Sequence, residues 1–260
     1  MSGIAQNTES GFGAFSKADD LKKRIFYTLF ILVIYRFGTY IPLPGIDPTS
    51  LKEIVGGNQR SLLGMFNVFA GGAVQRMAIF ALGIMPYISS SIIIQLLTGV
   101  TEYFKNLKNQ GETGRQKITQ YTRYGTVILA LIQGYGVAFS LENSQGIVQE
   151  PGFYFRFVTT VSLLTGTVLL MWLGEQITAR GIGNGISLII FSGIVAEIPG
   201  ALASTFELGR TGAISSGIII MILLILLSAI YFIVFVERAQ RRVLIQYPKR
   251  QQGNKMYGGE

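Results

Sequence analysis

SLLGMFNVFAGGAVQRMAIFALGIMPYISSSIIIQLL, residues 61–97, decides how this chain is read. Its opening part, 62–70, is apolar and stops at Gly71-Gly72. That is about half of the roughly 20 residues a helix needs to cross a bilayer, so this segment dips in or lies on the surface. The next apolar run, 77–97, is long enough to span and carries Pro86 near its middle. Proline has no N–H to donate and its ring crowds the preceding turn, which predicts a kink there. Ile84 and Ile88 lie four apart and share a helix face, with Ser91 and Gln95 continuing along it. A short dip-in segment before a kinked span with an aliphatic pair suggests a gated aqueous pathway. The plainer reading is a re-entrant or surface helix beside an ordinary kinked span.

Working outward, further apolar runs follow. Of the 260 residues 49% are hydrophobic and only 14% charged, so the expected class is an all-α integral membrane protein. There is no cysteine and no histidine. Disulfides, thiolate metal sites and histidine acid–base chemistry are thereby excluded. The stretch 1–24 reads as a polar cytoplasmic N-terminus ending in Lys22-Lys23-Arg24. The first span, 25–41, ends at Pro42-Leu43-Pro44-Gly45, and Arg36 in its outer part can snorkel to the far interface. Residues 25–98 thus hold the first span, the short segment and the kinked second span. A polar basic loop, 99–123, comes next. Residues 124–200 carry the third to fifth spans, the fifth (186–198) short and broken by Gly193 and Pro199. An external loop and a sixth span occupy 201–236, and a basic cytoplasmic loop 237–260. Gly125, Gly134 and Gly136 are expected to allow close helix contact in the third span.

Sixteen of the 22 Lys and Arg residues fall on one side of this arrangement and five on the other. By the positive-inside rule both ends are cytoplasmic, which requires an even number of spans. Six satisfies it.

Two glycine runs resemble nucleotide loops only superficially. Gly181-Ile182-Gly183-Asn184-Gly185 lacks the preceding strand and the G-x-G-x-x-G spacing, and reads as a tight turn with Asn184 at the start of the next helix. Glu175 and Arg180 flank it and are expected to pair weakly. Gly111-Glu112-Thr113-Gly114-Arg115 lacks the GK[S/T] ending and reads as a flexible basic loop near anionic lipid headgroups. Its sharper reading is a docking surface, with Lys105, Lys108, Arg115, Lys117 and Arg123 from one loop and Arg238, Arg241, Arg242, Lys249 and Arg250 from the other. No catalytic signature is present, and no cofactor or metal is expected.

Several long stretches resemble the SecY/Sec61 alpha family of protein-translocase channels, most closely its bacterial branch. They are IFALGIMPYISSSIIIQLL (79–97), GETGRQKITQYTRYGT (111–126), MWLGEQITARGIGNGIS (171–187), FVERAQRR (235–242), KRQQGNKMYGG (249–259) and IPLPGID (41–47). The resemblance implies that the short segment, with Leu62, Leu63, Met65, Phe66, Val68 and Phe69, is the plug of the channel. It implies that Ile84, Ile88, Ile186 and Ile190 belong to the aliphatic pore ring. Spans two and three would line the lateral gate. The partners implied are SecE and SecG as channel subunits, the SecA motor ATPase and the ribosome at the cytoplasmic face, and signal sequences and nascent polypeptides as cargo. The location implied is the cell inner membrane. The family has ten spans in two inverted halves, so six spans and a plug are expected to be its first half, ending before the second. Two rival readings rest on the residues alone. One is half of a small-solute transporter with a substrate near Pro86 and Ser89–Ser91. The other is a structural subunit in which those serines and glycines merely pack.

Overall fold

The computed structural model describes residues 19–46, 70–143, 147–212, 214–240, 250–252 and 255–257. Among the described residues seven helices follow in order: α1 (Asp19–Gly38), α2 (Met85–Val100), α3 (Glu102–Asn109), α4 (Glu112–Asn143), α5 (Phe153–Arg180), α6 (Gly185–Arg210) and α7 (Ser216–Glu237). Two three-residue strands, β1 (Arg250–Gln252) and β2 (Lys255–Tyr257), pair antiparallel in the tail, a small departure from an all-α chain. Four helices, α4 to α7, are long and apolar enough to cross a membrane, so this is a multi-pass membrane protein. The other two of the six expected spans correspond to α1, which carries charged residues at both ends, and α2, which has 16 residues.

Residues divide into two units, Met1–Pro199 and Gly200–Glu260. In the first, α5 is the central helix: Leu163, Leu170 and Ile177 are fully buried, and α1, α2 and α4 pack against it. Close approach is built into the sequence. A Cβ on Gly166 would lie 2.0 Å from the Ile79 carbonyl oxygen, so only glycine lets that backbone contact form. In the second unit, Gly209 meets Ile219 across the turn at Gly212, and α7 exposes its large side chains, Leu224 at 64% among them. A helix apolar on every side is suited to lipid.

Three expectations are corrected. Residues 77–84 are not the first half of a kinked helix: the chain makes turns over 70–84 and α2 begins at Met85, with Pro86 in its first turn. Gly71, Gly72 and Gly83 have φ of 61°, 79° and 57°, in the left-handed region that stops a helix. The backbone there is satisfied by tight turns, Ala81 N–H donating to Ala78 O at 2.8 Å and Gly83 N–H to Phe80 O at 2.9 Å, and by pairing with the IPLP segment, Leu43 N–H donating to Met77 O at 2.9 Å and Ile79 N–H to Ile41 O at 3.0 Å. Proline in a first helical turn forfeits no hydrogen bond, so Pro86 starts the helix and does not bend it. The polar loop 99–123 is largely helical, formed by α3 and the first turns of α4. These close on each other at Gly114, whose Cβ would meet the Leu107 carbonyl oxygen at 1.7 Å. The fifth span is neither short nor broken: α6 runs on through Pro199.

Candidate functional site

At the start of α2 the chain builds a small apolar pocket. Ile84 is the N-cap, and its carbonyl accepts hydrogen bonds from Tyr87 N–H and Ile88 N–H, both at 3.0 Å. Those bonds place Ile84 and Ile88 on one face. Ile190, on α6, comes to the same place, and the three share a pocket of about 30 Å³ with Ala70, Leu82 and Gly83. Such a space admits a water or two and little more. Behind it lies the main hydrophobic cluster, with Tyr35, Phe80, Leu173 and Ile189 buried and Ile88, Ile186 and Ile190 packed against them. Ile84 is itself only 6% exposed, so it belongs to the cluster as much as to the pocket.

The four isoleucines singled out in the sequence are therefore not equivalent. Ile84, Ile88 and Ile190 line the pocket. Ile186 packs on the same cluster one turn away, where a Cβ on Gly174 would come within 2.8 Å of its Cγ1. What positions it is the turn between α5 and α6. Asn184 Oδ1 caps α6 by accepting from Ile186 N–H and Ser187 N–H at 3.1 and 3.4 Å, as the sequence led one to expect. Thr178 Oγ1 accepts from Gly185 N–H at 2.9 Å and donates to Gly174 O at 2.9 Å. Gly185 lies so close to α5 that a Cβ would sit 2.0 Å from Gly174 O. From α1, Thr28 Oγ1 accepts Ile182 N–H at 3.2 Å, fastening the turn to the first helix.

Glu175 does not pair with Arg180. It takes Arg123 of α4 instead, with Nε and Nη2 each 2.8 Å from a carboxylate oxygen. The guanidinium fork fits a carboxylate in two parallel bonds, whereas Glu175 and Arg180, five apart on α5, point to different sides of that helix. Arg123 is thereby engaged, whereas Lys105, Lys108, Arg115 and Lys117 of the expected docking surface are exposed, as is Arg238. Arg241, Arg242 and Lys249 lie outside the described residues, and Arg250 is described only as backbone in β1. All six expected plug residues, Leu62, Leu63, Met65, Phe66, Val68 and Phe69, also lie outside them.

Of Ser89, Ser90 and Ser91, Ser90 is the buried one. Its Oγ donates to Thr122 O at 2.8 Å and lies where a Cβ on Gly125 would be, 2.4 Å away. It joins α2 to α4, which is a packing role. Arg76 and its surroundings were missed in the sequence, because nothing local marks an arginine that folds back on a glycine five residues away. Arg76 Nη2 donates to Gly71 O at 3.2 Å, and Arg36 Nη1 donates to the same oxygen at 2.8 Å.

Comparison with known proteins gives one consistent picture. The SecY family model matches residues 78–259. The chain is 54% identical over 252 residues to the protein translocase subunit SecY of Rickettsia conorii, covering 95% of this chain and 58% of that one. It is 49% identical over 258 residues to the subunit of the same name in Escherichia coli K12, covering 98% and 57%. The chain thus spans somewhat more than half the length of these relatives. Among solved structures it is similar to Sec61 in the canine ribosome–channel complex from the endoplasmic reticulum. That likeness has a TM-score of 0.50 at 18% identity over 73% of this chain and 38% of that one, and it concerns the fold alone.

Proposed function

The chain belongs to the SecY family, and on that premise we propose that it is the N-terminal portion of the central channel subunit of the Sec protein translocase. In this reading unfolded secretory polypeptides cross the membrane past the pocket of Ile84, Ile88 and Ile190, and membrane segments leave sideways into lipid. The observation that carries it is the meeting of those three aliphatic side chains from two helices, with the chain turning at Gly83 beside them. Aliphatic groups at a constriction exclude water and ions, yet are displaced by a passing chain of any sequence because they make no directional bonds with it. Ile186 supports the ring from the adjacent turn of α6. The segment with Leu62 to Phe69 is the plug.

The remaining assignments follow from the same premise. SecE and SecG accompany the channel in the cytoplasmic membrane, and both ends of the portion face the cytoplasm. Lys105, Lys108, Arg115 and Lys117, with the basic tail, receive SecA or the ribosome beside anionic headgroups. Energy comes from those partners, so the chain itself is not an enzyme.

Site-specific crosslinking from position 84 to a stalled secretory nascent chain, in membranes carrying the full-length native product, tests the proposal. A crosslink that depends on the signal sequence is expected. Its absence, with the product confirmed as full length and inserted, overturns the reading.

A further inference from the structure

One face of α6 runs along the turns at 70–84. Ile190 lines the pocket beside Ala70 and Gly83, Gly193 backs onto Gly71, whose Cβ would lie 3.0 Å from the Gly193 Cα, and Glu197 reaches Gly72. Positions 190, 193 and 197 are spaced i, i+3 and i+7, a single stripe of the helix. The far end of that stripe brings opposite charges together. A Cβ on Gly72 would lie 2.3 Å from Arg76 Nη2 and 2.5 Å from Glu197 Oε1, so those two atoms stand at most 4.8 Å apart, in a space that glycine leaves open. Arg76 and Glu197 are both half-buried. Arg76 Nη2 also donates to Gly71 O at 3.2 Å, and Arg36 Nη1 donates to the same oxygen at 2.8 Å. Glu197 therefore carries a negative charge to a turn on which two guanidinium groups already meet. The pair stands open: the closed ion pairs among the described residues are made by Lys22, Arg24, Arg123 and Arg156.

We propose that Arg76 and Glu197 form a charge strap that pins the turn at 71–76 onto α6. The guanidinium edge made by Nε and Nη2 is the one through which Arg123 takes both oxygens of Glu175. On Arg76 the same edge includes the atom close to Glu197, and its Nε is buried with no hydrogen-bond partner among the described residues. Rotation of either flexible side chain closes a gap of this size, and closure gives that buried donor an acceptor. Glu197 is thus a positioning residue. It ties the helix that supplies Ile190 to the turn that supplies Ala70 and Gly83, so the pocket keeps its shape while the two stay together. The consequence for transport rests on the proposed channel reading: residues 62–69 run directly into this turn, so the strap fixes the downstream end of the plug.

Hydrogen–deuterium exchange of the full-length product in detergent, read on peptides covering residues 70–78, tests the strap. The amides of Ala73 and Met77, bonded within the turn to Ala70 O and Val74 O, report its opening. Glu197→Gln should speed their exchange roughly twofold to fivefold, the scale of one partly exposed ion pair. In an Arg76→Gln background the same change should add nothing, because the strap is already cut. Equal acceleration by Glu197→Gln in both backgrounds, or none in the parent, overturns the proposal. Should Arg76→Gln fail to assemble, Glu197→Lys takes its place: a like charge set against Arg76 should speed exchange more than Glu197→Gln does, and no greater effect overturns the proposal equally. Ion leak through vesicles reconstituted with the Glu197→Gln product separates the strap from the channel reading. Leak above the parent's, with non-additive exchange, supports both. Parental leak with non-additive exchange upholds the strap and overturns the plug assignment.

Discussion

Arg123 and Glu175, 52 positions apart, are joined by two hydrogen bonds of 2.8 Å, so the beginning of α4 is tied to the end of α5 through one planar fork. The pair is partly exposed, with 45% of the arginine side chain and 25% of the glutamate open to solvent, so its contribution is modest. A double-mutant cycle with Arg123→Gln and Glu175→Gln should give a coupling of roughly 0.5–1 kcal/mol in thermal unfolding. Arg123→Lys should recover less than half of it, since an ammonium cannot supply the second parallel bond. A coupling indistinguishable from zero would show that the fork is not maintained in solution.

The isoleucines at the pocket should separate by burial. Ile84→Ala removes a side chain that is 6% exposed and should destabilise the protein by about 2–5 kcal/mol, with Ile88→Ala, half-buried, costing clearly less. In the full-length channel, Ile88→Asn should raise ion leak across reconstituted vesicles while leaving expression nearly normal. Conductance equal to the parent's would count against an aliphatic seal at this position.

Ser90 should stand apart from its neighbours. Ser90→Ala forfeits the buried bond to Thr122 O and should cost about 1 kcal/mol, whereas Ser89→Ala and Ser91→Ala should stay within about 0.5 kcal/mol. Ser90→Val should cost more than Ser90→Ala, because its second γ-carbon has to fit where α4 is closest at Gly125. Detergent-solubilised melting curves for the four variants decide this ordering.

Glycines in the third and fourth spans should divide into two kinds. Gly166→Ala puts a methyl group 2.0 Å from Ile79 O and should prevent stable assembly or lower the melting temperature steeply. Gly136 has nothing within 4 Å of its would-be Cβ, so Gly136→Ala should stabilise α4 by about 0.5–1 kcal/mol. A destabilising Gly136→Ala would mean that another surface packs there.

Pro86→Ala should change little, by less than about 1 kcal/mol, because the first turn of α2 has no hydrogen bond for proline to forfeit. Were Pro86 a mid-helix kink, its removal would straighten and lengthen the span. Hydrogen exchange at residues 80–85 distinguishes the two cases, since only a continuous helix would protect those amides through bonds to carbonyls four residues earlier.

What the sequence alone determined is what depends on local composition. Runs of apolar residues long enough to cross a bilayer place the spanning helices, since each residue's transfer cost is its own and simply adds along the run. The cap at Asn184 was legible for the same reason: its acceptors and donors are within three residues of one another. Motif resemblance likewise pointed to Ile84, Ile88, Ile186 and Ile190. Only the tertiary structure decided where α2 begins, because residues 77–84 satisfy their backbone in tight turns and by pairing with the distant segment 41–43, and not in a continuous helix. It also decided that Glu175 takes Arg123 over the nearer Arg180, and that Arg36 and Arg76 share the Gly71 carbonyl. These choices turn on directions and distances of a few ångströms between segments far apart in the chain. Composition and spacing carry no record of such distances until the helices have packed.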